Sequence, residues 1–136
     1  MTLDEALEKY PGAQSFRFGD SEALCTELLE LVRSGRKTAT CFAARELDTG
    51  EEVMPVPGRR DVSLHWDGRP ALVIETVSVE IRRFEEVGED FALSEGEDDS
   101  LAGWRAGHRR YFERNGGWSL DMPLVCERFR LVEVFQ

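Results

Sequence analysis

A chain of 136 residues with 41% hydrophobic content is long enough for one domain with its own core and too apolar for a disordered tail. Its formal net charge of −10 disfavours loose binding to long nucleic acid, which depends on neutralising many phosphates, but leaves room for a local basic cleft or a single nucleoside. No apolar run approaches the ~18 residues of a membrane-spanning helix, and the acidic, polar N-terminus is unlike a secretory signal, so a cytoplasmic protein without membrane contact is expected. Cys25, Cys41 and Cys126 are odd in number and widely spaced, and His65 and His108 are the only histidines. Neither a disulfide framework nor a metal centre is expected, and nothing in the sequence calls for a cofactor.

Thr2 to Tyr10 reads as a short helix ended by Pro11-Gly12, a helical extension over residues 1–14 that precedes the main body of a single domain, 1–136. Asp20 is placed to cap the next helix, in which Leu24, Leu28, Leu31 and Val32 make one apolar stripe and Gly35 sits where a left-handed terminating glycine belongs. Thr38 to Ala44 is β-prone, and Glu46 to Glu52 reads as a polar turn. Val62 to Trp66 and Ala71 to Arg82 read as two strands of a hairpin around Asp67-Gly68-Arg69-Pro70. In the second strand Val73, Val77, Val79 and Ile81 share one parity, which predicts one buried face.

Phe84 to Glu97 reads as acidic and irregular. Ser100 is placed to cap a helix to about Arg114, with Leu101, Trp104, His108, Tyr111 and Phe112 along one side. Leu124 to Phe135 reads as a closing strand whose alternation changes phase near Arg128 to Arg130, which predicts a bulge or bend. Helices flanking short, mostly antiparallel strands give an α+β class with the sheet curled into a small barrel.

Two segments concentrate chemistry. Ser34 to Cys41 carries cations and hydroxyls at the exit of a helix. Phe91 to Ser100 carries carboxylates able to answer a cation, within a stretch, Glu85 to Asp99, that has eight acids and no base. They read as two walls of one site.

Gly35-Arg36-Lys37-Thr38-Ala39-Thr40 resembles the Gly-x-Lys-x-x-Thr signature of the ASCH domain family. Glu95-Gly96-Glu97-Asp98-Asp99-Ser100-Leu101, followed by Trp104-Arg105 and His108, resembles the Glu-Gly-Glu-Gly-Asp-x-Ser-Leu and Trp-Arg-x-x-His patterns of its longer bacterial members, with Asp98 in place of a glycine. Pro123 to Phe129 is similar to the family's last strand, so the match runs from about Phe16 to Phe135. The resemblance implies a barrel like that of the PUA domain, an RNA-binding fold, and ribonucleoside, nucleotide or short RNA ligands; of protein partners it says nothing. It also implies a hydrolase, since some relatives are ribonucleases and a shorter branch comprises amidohydrolases acting on acylated cytidine. The lysine, threonine and glutamate that carry the chemistry of that branch correspond to Lys37, Thr40 and Glu95.

On chemistry alone, a threonine hydroxyl needs a neighbour to take its proton. Lys37 serves as that base if burial, or Arg36 beside it, lowers its pKa. Glu95, among Glu97, Asp98 and Asp99, is expected to be raised toward neutrality and to act as acid. Residues three apart in a straight strand face opposite ways, so Lys37 and Thr40 converge only if the chain bends. The alternative is a structural Lys37–Glu95 bridge and an ordinary strand threonine.

The ligand-binding candidates are Arg36 and Thr38 in the same segment, Trp66 at the hairpin, and Arg105 and Arg109, four apart on one helical face. These last two read equally as phosphate contacts and as partners of nearby acids. Trp104 and Phe112 follow the apolar stripe, His108 reads as a core or supporting histidine, Cys41 as packing, and the acidic run as a solvated loop rather than a cation site. The expectation is a metal-independent hydrolase of a ribonucleoside derivative or RNA. The rivals are a non-catalytic RNA- or nucleotide-binding module and a structural domain that binds a protein.

Overall fold

The computed structural model describes residues 1–135, so the expected domain end at Gln136 lies outside them. In chain order the elements are α1 (Leu3–Lys9), β1 (Ser15–Phe16), α2 (Glu22–Arg33), β2 (Ala39–Ala43), α3 (Arg45–Thr49), β3 (Arg60–Leu64), β4 (Pro70–Arg83), a 3-10 turn (Phe84–Glu86), α4 (Glu89–Ser94), α5 (Leu101–Arg114) and β5 (Pro123–Val134). The strands form one sheet in the order β1-β3-β4-β5-β2, antiparallel throughout except for the β1–β3 pair.

The α+β class stands, but the sheet is open rather than a closed barrel, because β1 and β2 lie at its two edges and do not pair among the described residues. A two-residue β1 offers too little backbone to zip onto β2, and α2 covers a face of the sheet instead. Its Cys25, Leu28, Leu29 and Val32 pack on Leu72, Ile74 and Phe129. Helix α1, capped by Thr2, covers the other face through Ala6, against Val62 and Val73. A third cluster joins α4 and α5 to β2 and β5, with Phe84 and Trp104 stacked at 5.3 Å between centroids.

Several local expectations are corrected. The cap of α2 is Ser21, which accepts from the Leu24 amide at 3.2 Å, while Asp20 takes Arg114 at 2.7 Å and Asn115 at 2.8 Å, tying α2 to the end of α5. The polar stretch after β2 forms α3, because Gly50 supplies the left-handed residue (φ 78°) that terminates a helical turn. The acidic segment holds α4, anchored by a fully buried Ala92.

The β4 parity fails past Thr76. A register shift makes Val77 an extra residue opposite Phe129 and Arg128, which puts Val79 and Ile81 on Thr76's face, opposite to Val73. Thr76 is buried, and Val77 and Ile81 are 54% and 58% exposed. A bulge does lie opposite Phe129 and Arg128, but its extra residue is on β4, so β5 keeps its own alternation where the sequence predicts a phase change. A second shift leaves Val132 extra on β5.

The exit of α2 meets the end of α4 at backbone distance. Gly35 (φ 85°) turns the chain, and the Arg36 and Lys37 amides both donate to the Leu31 carbonyl at 3.0 Å. The Thr38 amide then donates to the Ser94 carbonyl at 2.8 Å. Gly96 (φ 75°) lies so close that a Cβ there would sit 2.5 Å from the Arg36 carbonyl oxygen, whereas a Cβ on Gly35 meets nothing within 4 Å. Gly96→Ala is therefore expected to cost about 2–4 kcal/mol and Gly35→Ala only about 1 kcal/mol, by urea unfolding. Equal losses for the two variants would mean that the Arg36 contact contributes nothing.

Candidate functional site

Lys37 is the first residue after the α2 exit to turn inward, and Glu95 is the residue that ends α4. Both are 1% exposed. Lys37 Nζ lies 3.1 Å from Glu95 Oε1, 2.9 Å from Glu97 Oε2 and 3.4 Å from the Glu95 carbonyl oxygen, with the Phe18 ring 5.8 Å away. The two chemistry-bearing segments therefore do meet. The other Glu95 oxygen, Oε2, accepts from Trp104 Nε1 at 2.7 Å and lies 3.3 Å from His108 Nε2 and 3.4 Å from Cys41 Sγ. His108 stacks on Trp104 at 4.2 Å, and its Nδ1 faces the Trp104 carbonyl at 3.0 Å. With an acceptor at each ring nitrogen, the imidazole is satisfied only when doubly protonated.

These contacts reverse the expected protonation roles. Burial works against the charge of Lys37, but Glu95 and Glu97 outweigh it and raise its pKa. Burial likewise opposes ionisation of Glu95, yet Lys37 and His108 hold its carboxyl well below the ordinary carboxylate value. Lys37 is thus a fixed ammonium rather than a base, and Glu95 a fixed carboxylate rather than an acid. The like charges of the acidic run do not decide the matter, because the nearest groups to Glu95 are cations and an indole N–H. For His108, burial lowers the pKa and Glu95 more than restores it, leaving a net rise.

Cys41, Glu95 and His108 each offer a ligand atom within 4.8 Å of the others. The ammonium and imidazolium flanking Glu95 oppose a cation there, and burial holds the Cys41 thiol well above its ordinary pKa, so the donor set does not fit a metal.

Beside this buried cluster opens a cleft of about 650 Å³, bounded by the β1–α2 connection, β2, the segment after α3, and α5. Lys37, Thr40, Glu95, Glu97 and His108 line one side. Asp61, held by Arg59 at 2.9 and 3.0 Å, and Glu127 line another. Acids outnumber bases along the walls. Glu52 and Glu127 are raised, chiefly by burial, to about 7 and about 6 respectively.

Thr40 reaches the cleft, and its hydroxyl makes no hydrogen bond among the described residues. Within β2 it is Cys41, not Thr40, whose side chain touches Glu95, as the alternation of a strand requires.

The other candidates lie outside the cleft lining. Arg36 and Thr38 are exposed, with the Thr38 hydroxyl against the Ser94 carbonyl at 3.4 Å. Trp66 is 41% exposed at the β3–β4 turn, with the Arg17 guanidinium 5.9 Å from its ring. Arg105 is exposed on α5. Arg109 lies over Trp118 at 4.1 Å and pairs with Glu113 at 3.5 Å. The arginines that α5 does turn toward the cleft are Arg110 and Arg114, alongside Gly107 and Tyr111. Sequence reasoning passed over Asp61, Arg59 and Glu127. They carry no local signal, since Arg59 precedes β3 beside another arginine, Asp61 lies between Arg60 and Val62, and Glu127 lies between Cys126 and Arg128.

The raised pKa of His108 fixes the sign of a pH effect. Its folded value exceeds the unfolded ~6.5, so its charge contributes stability fully below that value and loses it as pH rises through the folded value. The stability gap between the wild type and His108→Gln, from urea unfolding, is expected to be larger at pH 5.5 than at pH 9. A gap that widens with pH would mean a neutral imidazole.

Comparison with known proteins agrees with this architecture. The family model described as ASCH domain matches residues 14–133. The ASCH domain of Lactobacillus crispatus JV V101 is 36% identical with a TM-score of 0.80, covering 93% of this chain and 84% of its own. A protein from Enterococcus faecalis V583 is 33% identical with a TM-score of 0.83, covering 96% and 85%. An ASCH protein from Zymomonas mobilis, at 13% identity and a TM-score of 0.50 over 91% of this chain and 73% of its own, shares the fold alone. No functionally curated protein matches the sequence. On the family match and the two closely similar structures, this chain belongs to the ASCH domain family.

Proposed function

We propose that the protein is a metal-independent hydrolase that cleaves the amide of an acylated, uncharged ribonucleoside. The observation that carries the reading is a fully buried ammonium, Lys37, held charged at the edge of a cleft that a free threonine hydroxyl, Thr40, also reaches. The three donors of Lys37 are already taken by Glu95 and Glu97, so this fixed cation acts on the oxyanion that develops when a nucleophile adds to an acyl carbon through its charge rather than through a hydrogen bond, and the low dielectric around it strengthens that field. Thr40 is the nucleophile. Glu95, its pKa depressed, serves to position Lys37 and His108 rather than to shuttle protons. The acid-rich lining disfavours phosphates and favours a neutral nucleoside. The family's amidohydrolase branch, to which Lys37, Thr40 and Glu95 correspond, supports the same chemistry.

A second reading, a non-catalytic RNA-binding module, is favoured by the exposed cations outside the cleft, Arg36, Arg105 and Arg109, with Thr38 and Trp66 as further surface contacts.

The two separate on salt. Thermal shift with cytidine, N-acetylated cytidine, mononucleotides and short RNA oligomers, at low and high salt, is expected to show salt-insensitive stabilisation by the acylated nucleoside. At a hundredfold excess over Kd the gain is ~2.7 kcal/mol. Turnover of that compound is expected to disappear in Lys37→Met and Thr40→Val. Stabilisation by oligomers alone, falling steeply with salt, would favour the RNA-binding module.

A further inference from the structure

The protonation states described above leave the proposed reaction without a proton acceptor, since Lys37 already carries its proton and Glu95 is locked in place by four neighbours. We propose that Glu127 is the general base for Thr40, an inference that rests on the hydrolase reading.

Thr40 and Glu127 are directly paired in the antiparallel β2–β5 ladder, so their side chains stand on the same face with Cβ atoms roughly 4.5–5.5 Å apart. Glu127 is 7% exposed and lines the cleft. Its Oε2 accepts the Thr76 hydroxyl at 2.7 Å. Its Oε1 has no hydrogen-bond partner among the described residues, yet it is not one of the sealed polar atoms, so it opens to the cleft. A carboxylate that is nine-tenths buried, anchored through one oxygen and free at the other, stands across the ladder from an unpartnered hydroxyl; the two make no hydrogen bond in this structure, and a side-chain rotation or one water closes the distance a base must span.

The surroundings set its working range. Asp61 raises its affinity for a proton; Arg59 and the Thr76 hydroxyl lower it; Glu52 faces it as a further carboxyl. With burial the largest influence, Glu127 titrates near 6, so it is ionised at neutral pH and still a competent acceptor.

The step balances as follows. As Thr40 Oγ bonds to the acyl carbon, its proton passes to Glu127 Oε1 and the carbonyl electron pair moves onto oxygen, facing Lys37. Collapse re-forms the carbonyl and breaks the C–N bond, and the departing amine takes the proton from Glu127. Water then adds to the Thr40 ester, gives one proton to Glu127, and releases the acid and the free hydroxyl, to which that proton returns.

The test reads Thr40 acylation directly and needs no knowledge of the natural substrate. Wild type, Glu127→Gln, Thr76→Val and Thr40→Val are treated with p-nitrophenyl acetate from pH 5 to 8, and acetyl-Thr40 is located by peptide mass mapping. In the wild type the rate is expected to rise with pH through an inflection near 6. Glu127→Gln is expected to lose about 10²-fold or more and to show no inflection. Thr76→Val removes a hydrogen bond that lowers the Glu127 pKa, so its inflection is expected to move upward.

Urea unfolding at pH 7.5 checks that the variants fold. Glu127→Gln is expected to be at least as stable as the wild type there, because a carboxyl raised by burial destabilises the fold once ionised. Wild-type labelling of Thr40 that persists at the same rate and pH profile in Glu127→Gln would overturn the inference and leave the hydrolase reading intact. Absence of Thr40 labelling in the wild type at every pH would overturn both.

Discussion

Everything at this site depends on an ammonium that has been taken out of water. Removing Lys37 and Glu95 from solvent costs several kcal/mol each, and their attraction repays it only because the remaining valences are filled. Glu97 and the Glu95 carbonyl take the other Lys37 donors, and Trp104 and His108 take the second Glu95 oxygen. Loss of either partner strands a charge in the interior, at a cost of about 3–5 kcal/mol. A well-packed apolar pair would serve stability as well, so the pair's use is best sought in the positive charge it keeps at the edge of the cleft.

The scaffold follows from that need. Trp104 and His108 are four apart on α5, which puts an indole N–H and an imidazole on one helical face above Glu95. Glu95 is held at a helix end, where the backbone leaves its regular path and the side chain is free to turn inward. Phe84 backs the Trp104 ring, so the polar cluster and the apolar core beneath it share one wall.

Much of this was legible in the residues. The apolar stripe of α2, the terminating Gly35, the Ser100 cap and the pairing of two distant charged segments are all local or compositional signals, and each is found where expected. What escaped depends on three-dimensional neighbours. The pKa directions were misread because sequence proximity set Glu95 among acids, whereas folding set it among donors. Arg105 and Arg109 carry the right spacing, but spacing does not say which facet of α5 faces the cleft; the facet with Gly107, Arg110 and Arg114 does. Val77 inverted the reading of β4, since one inserted residue is invisible to a two-residue period. Glu127 drew no notice because a glutamate in a strand is remarkable only once its burial and its neighbour Thr40 are seen.

The closeness of Gly96 to the Arg36 carbonyl bears on how the cleft is walled. The segments bearing Lys37 and Glu95 are joined main chain to main chain, so the positions of the two side chains are set by one shared backbone contact. The opposing lip, α3, is tethered to the loop after α5 through a single guanidinium, Arg45, on the Asn115 and Gly117 carbonyls. One wall of the cleft is thus joined through the main chain, while the wall across from it is held to the loop after α5 by two side-chain hydrogen bonds.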